Sequence, residues 1–223
     1  RLSRFGESLI KNLPVKSETD IHLCDNIGMY HKDINNLAKA EHFFMLCHET
    51  CRHILETNPK KDSIKNLFAV SCKRLGDIQK TTGSVPKTRS YYEKYQQLEA
   101  ELTQDNPTES TYQSELAISF ERLGNITLME NNPFKALEYF KQSYDISSVI
   151  YQSNPQDQKI KACLAIANQN LGNLYKALGN VEKALEHCKQ FSQLEKELSE
   201  AFPEDFGYQY GLGVSYGTVG LLY

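Results

Sequence analysis

The sequence predicts an all-α fold, a solenoid of antiparallel helix pairs, and three observations predict it. Five glycines fall on one 48-residue grid, Gly28, Gly76, Gly124, Gly172 and Gly220, each after a large aliphatic residue: Ile27, Leu75, Leu123, Leu171 and Val219. Four prolines keep the same period, Pro59, Pro107, Pro155 and Pro203, and the first three follow an Asn. Between these markers the apolar residues return at helical spacing. A fixed period of this size means one supersecondary unit stacked on copies of itself.

The first helix of each unit carries the glycine. Two residues after it stand Tyr30, Ile78, Ile126, Leu174 and Leu222. Eight before it stand Asp20, Phe68, Leu116, Leu164 and Leu212, and seven before it Ile21, Ala69, Ala117, Ala165 and Gly213. A glycine inside a helix costs roughly 1 kcal/mol against Ala. Its return at one position implies that something must approach closely there. Eight residues past it come Asn36, Ser84, Asn132 and Asn180, all good N-cap types. Pro133 follows Asn132, at the first helical position, where a missing N–H does no harm.

The second helix starts at these caps. Its apolar columns read Leu37, Val85, Pro133, Val181, then Phe44, Tyr92, Phe140, Cys188, then Thr50, Leu98, Ile146, Leu194, then Ile54, Leu102, Ile150, Leu198. Ala40, Thr88, Ala136 and Ala184 lie twelve past the glycine, and the alanines are the expected partners of the close approach. The column Cys51, Glu99, Ser147, Glu195 reads as solvated, and Cys47, Tyr95, Ser143, Phe191 as mixed. The Asn-Pro pair ends the helix, because the residue before Pro avoids the α region. Asp62, Ser110 and Asp157 then read as caps of the next unit.

These markers give one solenoid over residues 1–223, with units at about 17–60, 61–108, 109–156 and 157–204 and a partial unit at 205–223. Residues 1–13 read as the tail of an earlier second helix. The chain begins at Arg1 and reads as a piece of a longer protein. In the last segment Leu212, Val214, Tyr216, Val219, Leu221, Leu222 and Tyr223 would form an apolar face without its second helix, and solenoids usually need a polar cap at each end. Self-association through that helix is expected.

Composition narrows the function class. The formal net charge is −3, with 25 basic and 28 acidic residues interspersed, so the basic stripe of a nucleic-acid binder is missing. No apolar run approaches the ~18 residues of a membrane span. The six cysteines, Cys24, Cys47, Cys51, Cys72, Cys163 and Cys188, read as thiols of a cytoplasmic protein.

The clearest copy, NLGNLYKALGNVEKALEHCKQF from Asn170 to Phe191, resembles the tetratricopeptide repeat (TPR) in Leu171, Gly172, Tyr175, Gly179 and Ala184. The usual unit of that family has 34 residues, so this one would be elongated by 14, about two helical turns per helix. The resemblance implies a right-handed TPR-like solenoid and a protein–protein interaction scaffold, not an enzyme. It also implies a peptide-binding groove on the inner face of the first helices. The matching positions hold Lys73, Asp77 and Lys80, then Glu121 and Asn125, then Gln169, Asn173 and Lys176. An Asn amide gives and accepts a hydrogen bond at once, so stacked Asn125 and Asn173 suit the backbone of an extended partner peptide. A carboxylate clamp of the kind some family members carry is disfavoured, because Asp77, Val214 and Thr218 stand at its Asn, Lys and Arg positions. A regulatory array acting on an attached catalytic domain, such as a protease, is the alternative.

Other chemistry is weakly signalled. CHETCRH places Cys47, His48 and Cys51 on one helix, and thiolate with imidazole suits zinc, but no second ligand pair follows. A metal- or redox-sensing domain on these residues is a distant alternative, with Cys51 expected as an exposed thiol. His31 and His187 fall in aromatic columns and read as packing residues. LGNLYKALGN is not a phosphate loop, since its glycines lie within and at the end of a helix. No cofactor is expected.

Overall fold

The computed structural model describes residues 17–220. Among them run α1 (Glu18–Asp33), α2 (Leu37–Thr57), α3 (Asp62–Thr82), α4 (Val85–Asp105), α5 (Ser110–Met129), α6 (Pro133–Ser153), α7 (Gln158–Ala177), α8 (Val181–Ala201) and α9 (Phe206–Gly220), with no strand. The expected helix tail at 1–13 lies outside the described residues, as do Leu221, Leu222 and Tyr223.

The helices form two compact units, one ending at Asn106 and one beginning at Pro107. In the first, α1 packs on α2, α2 on α3, and α3 on α4. In the second, each helix from α5 to α9 packs on the next, and α5 also touches α7.

The backbone repeats as faithfully as the sequence. Asn36, Ser84, Asn132 and Asn180 are the N-caps of α2, α4, α6 and α8. The three Asn side chains accept the N–H of Lys39, Lys135 and Lys183. Just before them, Asn35, Gly83, Asn131 and Gly179 all take positive φ, between 57° and 88°. This one slot needs the left-handed conformation that Gly and Asn tolerate best. At the far end, Asn58, Asn106 and Asn154 cap the second helices at φ near −140° and ψ near 70°, the extended geometry a following Pro imposes. The first helices start less uniformly. Asp157 is a true cap that accepts two backbone N–H groups, whereas Asp62 and Ser110 are already helical, behind Lys61 and Glu109.

The grid glycine is where side-chain volume runs out. A Cβ placed on Gly28 would lie 2.5 Å from the Phe44 ring, and the same substitution at Gly76 and Gly124 would strike Tyr92 and Phe140. At Gly172 it would lie 2.6 Å from the Cys188 thiol. The expected alanine partners are buried, but the aromatic ring sixteen residues on occupies the gap. At Gly172, where Cys188 replaces the ring, the Ala184 carbonyl would also lie 3.5 Å from the added Cβ.

The second helices bury more than one stripe. Cys51 and Glu99 are 0 % exposed, Ser147 2 % and Glu195 7 %, so the column expected in solvent is interior. So is its neighbour: Cys47, Tyr95, Ser143 and Phe191 are all buried. The reason is visible where α2 and α6 pack against the helices on both sides of them, α1 and α3, and α5 and α7. An amphipathic helix with one wet face shows one apolar stripe; a helix with neighbours on two sides shows two.

Gly124→Leu should lower stability by about 1–3 kcal/mol or more, since the added volume meets a buried ring. Glu138→Gln on the exposed side of α6 should stay within about 0.5 kcal/mol. Thermal denaturation of both variants checks this, and equal shifts would remove the ring contact as a stabilising element.

Burial holds the Glu195 carboxyl above its ordinary pKa of 4.5. The folded state therefore binds this proton more tightly than the unfolded one. That contribution to stability is complete below pH 4.5 and is lost as pH rises through the folded pKa. Glu195→Gln should melt higher than the wild type near pH 7, and its advantage should shrink as pH falls through the folded pKa and be gone below about pH 4.5. An advantage independent of pH would show that the gain comes from packing, not from the charge.

Candidate functional site

The expected inner-face residues occupy α3 in the first unit and α5 and α7 in the second. On α3, Lys73, Asp77 and Lys80 are spaced four and three apart, which puts them on one helix face. All three are half-buried. The Lys73 ammonium stands 5.4 Å from the centre of the Tyr95 ring, a cation–π distance. Asp77 accepts a hydrogen bond of 2.8 Å from the Tyr92 hydroxyl. Tyr92 is the ring that covers Gly76, so Asp77 orients a core residue as well as facing outward. Lys80 lies in the last turn of α3, where a cation suits the helix dipole.

On α5, Glu121 and Asn125 come together: the Asn125 amide donates to the Glu121 carboxylate. Glu121 also lies 3.6 Å from the Arg122 guanidinium. One donor of the expected amide ladder is thus engaged within its own helix. On α7, Gln169 is half-buried, while Asn173 and Lys176 are exposed. Of the eight residues, Asn173 and Lys176 stand furthest into solvent.

A cleft of about 160 Å³ opens among α5, α6 and α7. Its wall includes Ala117, Ile118 and Glu121 of α5, Ser143 and Ser147 of α6, and Cys163 and Ile166 of α7. No sequence motif announces it. The only available signal was that Ser replaces a larger residue in two columns, and those columns were read as mixed and solvated.

The residues singled out for metal or redox chemistry are dispersed. The Cys47 thiol donates to the Ile21 carbonyl at 3.4 Å. The Cys24 thiol beside it, together with burial, holds it well above the ordinary thiol range. His48 turns the other way, its Nδ1 at 3.3 Å from Ser71 Oγ and 3.7 Å from Cys72 Sγ. Cys51, expected as an exposed thiol, is fully buried, and burial pushes its pKa to about 12. Metals and oxidants take thiolates, and this environment keeps the thiol protonated. Among the described residues no group of three or more His, Cys, Asp or Glu could hold a metal ion.

The two histidines in aromatic columns pack as aromatics. His31 stacks on Phe43 at 5.8 Å. His187 stacks on Tyr175 at 5.7 Å, and its Nδ1 lies 2.9 Å from Asn168 Oδ1. Burial lowers the His187 pKa, so the ring is neutral at pH 7.

Among the described residues no helix is long and apolar enough to cross a membrane. No curated protein matches the sequence. The tetratricopeptide repeat family model matches residues 165–197, which span the inward parts of α7 and α8 around their shared turn. The solved structures that the chain resembles at the level of fold include the following two. One is BtubC (BKLC) from P. vanneervenii, 15 % identical, with a TM-score of 0.61 over 98 % of this chain and 80 % of that one. The other is a putative kinesin light chain from Podosopora anserina with nearly identical TPR-like repeats, 16 % identical, with a TM-score of 0.59 over 90 % of this chain and 87 % of that one. The helix pairs and the buried grid glycines agree with these likenesses at the level of fold, a TPR-like helical repeat, and the tetratricopeptide repeat model matches it at residues 165–197.

Proposed function

We propose that the chain holds a partner protein or peptide along the inner face of its first helices. In the first unit the contact falls on Lys73, Asp77 and Lys80. In the second it falls on Glu121, Asn125, Gln169, Asn173 and Lys176. TPR-like repeats generally serve as protein-interaction scaffolds, and such scaffolds are typically non-catalytic. The observation that carries the reading is the exposure of Asn173 and Lys176 on α7, beside a cleft walled by α5, α6 and α7. A rigid helical face with amides, an ammonium and an apolar hollow can hold main chain and one side chain together. The buried thiols of Cys24, Cys47, Cys51, Cys72 and Cys188 fit a cytoplasmic setting.

Asn125→Ala combined with Asn173→Ala should weaken a partner recovered with the whole protein by about tenfold or more, at unchanged melting temperature. A complex whose protected amides all lie on α2, α4, α6 and α8 would refute the assignment.

The exposed aromatics of α9 favour a second reading, self-association. Phe206 is 87 % exposed, Tyr210 76 % and Tyr216 55 %. A Cβ on Gly220 would meet nothing within 4 Å, although its counterparts are covered by a ring or a thiol. Exposed apolar patches of this kind tend to find partners. Sedimentation across concentration should show a mass that rises with concentration and falls back in Tyr216→Glu. A concentration-independent monomer would rule out this contact.

A further inference from the structure

The cleft among α5, α6 and α7 has a filled counterpart one repeat further along. There, Phe191 of α8 packs against Leu164, Ala165 and Leu194, with Val214 of α9 beside them. Val214 holds the repeat position of Ile166, and Phe191 that of Ser143. Glu195, at the repeat position of Ser147, reaches toward Gly211, which replaces Cys163. The same architectural space is therefore closed by a phenyl ring and a carboxyl in one repeat. In the preceding repeat two serines leave it open. Nothing else about Ser143 and Ser147 is unusual: both are buried, at 3 % and 2 % exposure.

The volume agrees with the comparison. The cleft measures about 160 Å³, and an apolar cavity of about 150 Å³ is enough to take up benzene. The two charged residues of its lining, Glu121 and Arg122, lie 3.6 Å apart, and Glu121 also receives the Asn125 amide. A neutral ring suits the largely apolar remainder of the wall, Ala117, Ile118, Ala162, Cys163 and Ile166, and enters it without leaving a charge desolvated.

We propose that this cleft is the anchor socket of the binding face, taking one phenyl side chain from the partner segment in the place that Phe191 fills one repeat on. This rests on the inner-face reading and adds to it the chemical class of the residue that is gripped. A buried aromatic anchor in a preformed pocket is the arrangement that concentrates binding energy at interfaces.

The test uses the whole chain and N-acetylphenylalaninamide as the probe, with N-acetylalaninamide as control. Ligand-observed NMR should show saturable binding of the phenylalanine compound with a Kd of about 1 mM, and binding about tenfold weaker or absent for the alanine compound. Ser143→Phe, which supplies the ring from within, should abolish phenylalanine binding while circular dichroism keeps its helical signal. A measurement on the unaltered protein guards against a misfolded variant. Cys163 lines the cleft and is half-buried, whereas the other five cysteines are buried. The phenylalanine compound should slow its alkylation by iodoacetamide, and the alanine compound should not.

Equal binding of the two compounds, or binding unchanged in Ser143→Phe, would overturn the socket. So would alkylation of Cys163 at one rate with either compound. If these fail while Asn125→Ala with Asn173→Ala still weakens the partner, the socket falls and the binding face stands. If the socket holds while the double variant has no effect, the amide positions fall instead.

Discussion

One contact sets the geometry on which the rest depends: the aromatic ring of each second helix lying on the glycine of the first. Phe44 lies over Gly28, Tyr92 over Gly76 and Phe140 over Gly124. The glycine leaves no Cβ, so the ring fits flat between the helices instead of wedging them apart. The same ring extends into the next helix pair. Phe44 clusters with Leu75 and Ile78, and Phe140 with Leu171 and Leu174. Those partners sit one before and two after the following grid glycine. A single side chain thus fixes the spacing within a pair and the register to the next. Removing a buried ring of this size would cost about 3–5 kcal/mol, against the roughly 1 kcal/mol a helical glycine costs. The exchange favours the glycine by a clear margin. In the repeat of α7 and α8, Cys188 replaces the ring, and its thiol is what a Cβ on Gly172 would meet, at 2.6 Å.

Much of this was legible in the sequence because it repeats. The grid glycines, the Asn caps and the Asn-Pro stops each recur four times or nearly so, and each has a local cause that needs no tertiary information. The interior polar column was not legible. Cys51, Glu99, Ser147 and Glu195 look like a wet face if a helix has one dry side. Cys51, Ser147 and Glu195 are buried because α2, α6 and α8 have neighbours on more than one side, a property of the stacking and not of the helix. The ring partner was missed for a related reason: a contact between positions sixteen apart on two different helices leaves no trace in helical periodicity.

The candidate site divides in the same way. Its positions could be assigned by their offset from the glycine, since offset determines helix face. What each side chain does there could not be assigned. Asp77 is engaged by a core tyrosine fifteen residues on, a spacing that marks nothing in the sequence, while Asn125 is engaged by Glu121 at an i,i+4 spacing that was readable but not used. The cleft was least legible of all. It is made by volume that is absent, and two serines in a chain carry no sign that their counterparts are a phenylalanine and a glutamate filling the same space.

This difference between neighbouring repeats bears on how a repeat protein acquires specificity. The contacts that hold the stack together must recur, because each repeat packs on the next through the same positions. Recognition must do the opposite, since a face identical in every repeat would hold a partner in any register. The cheapest place to break the period is a position that is buried but does not set the helix spacing. Ser143 and Ser147 occupy two such columns, while Phe140, one turn before Ser143 on α6, keeps the spacing ring in place. The fold can therefore lose side-chain volume beside its conserved contact without losing the contact. A large residue restored at Ser143 would return that space to the core, as Phe191 does one repeat on, and would remove the anchor from the proposed binding face.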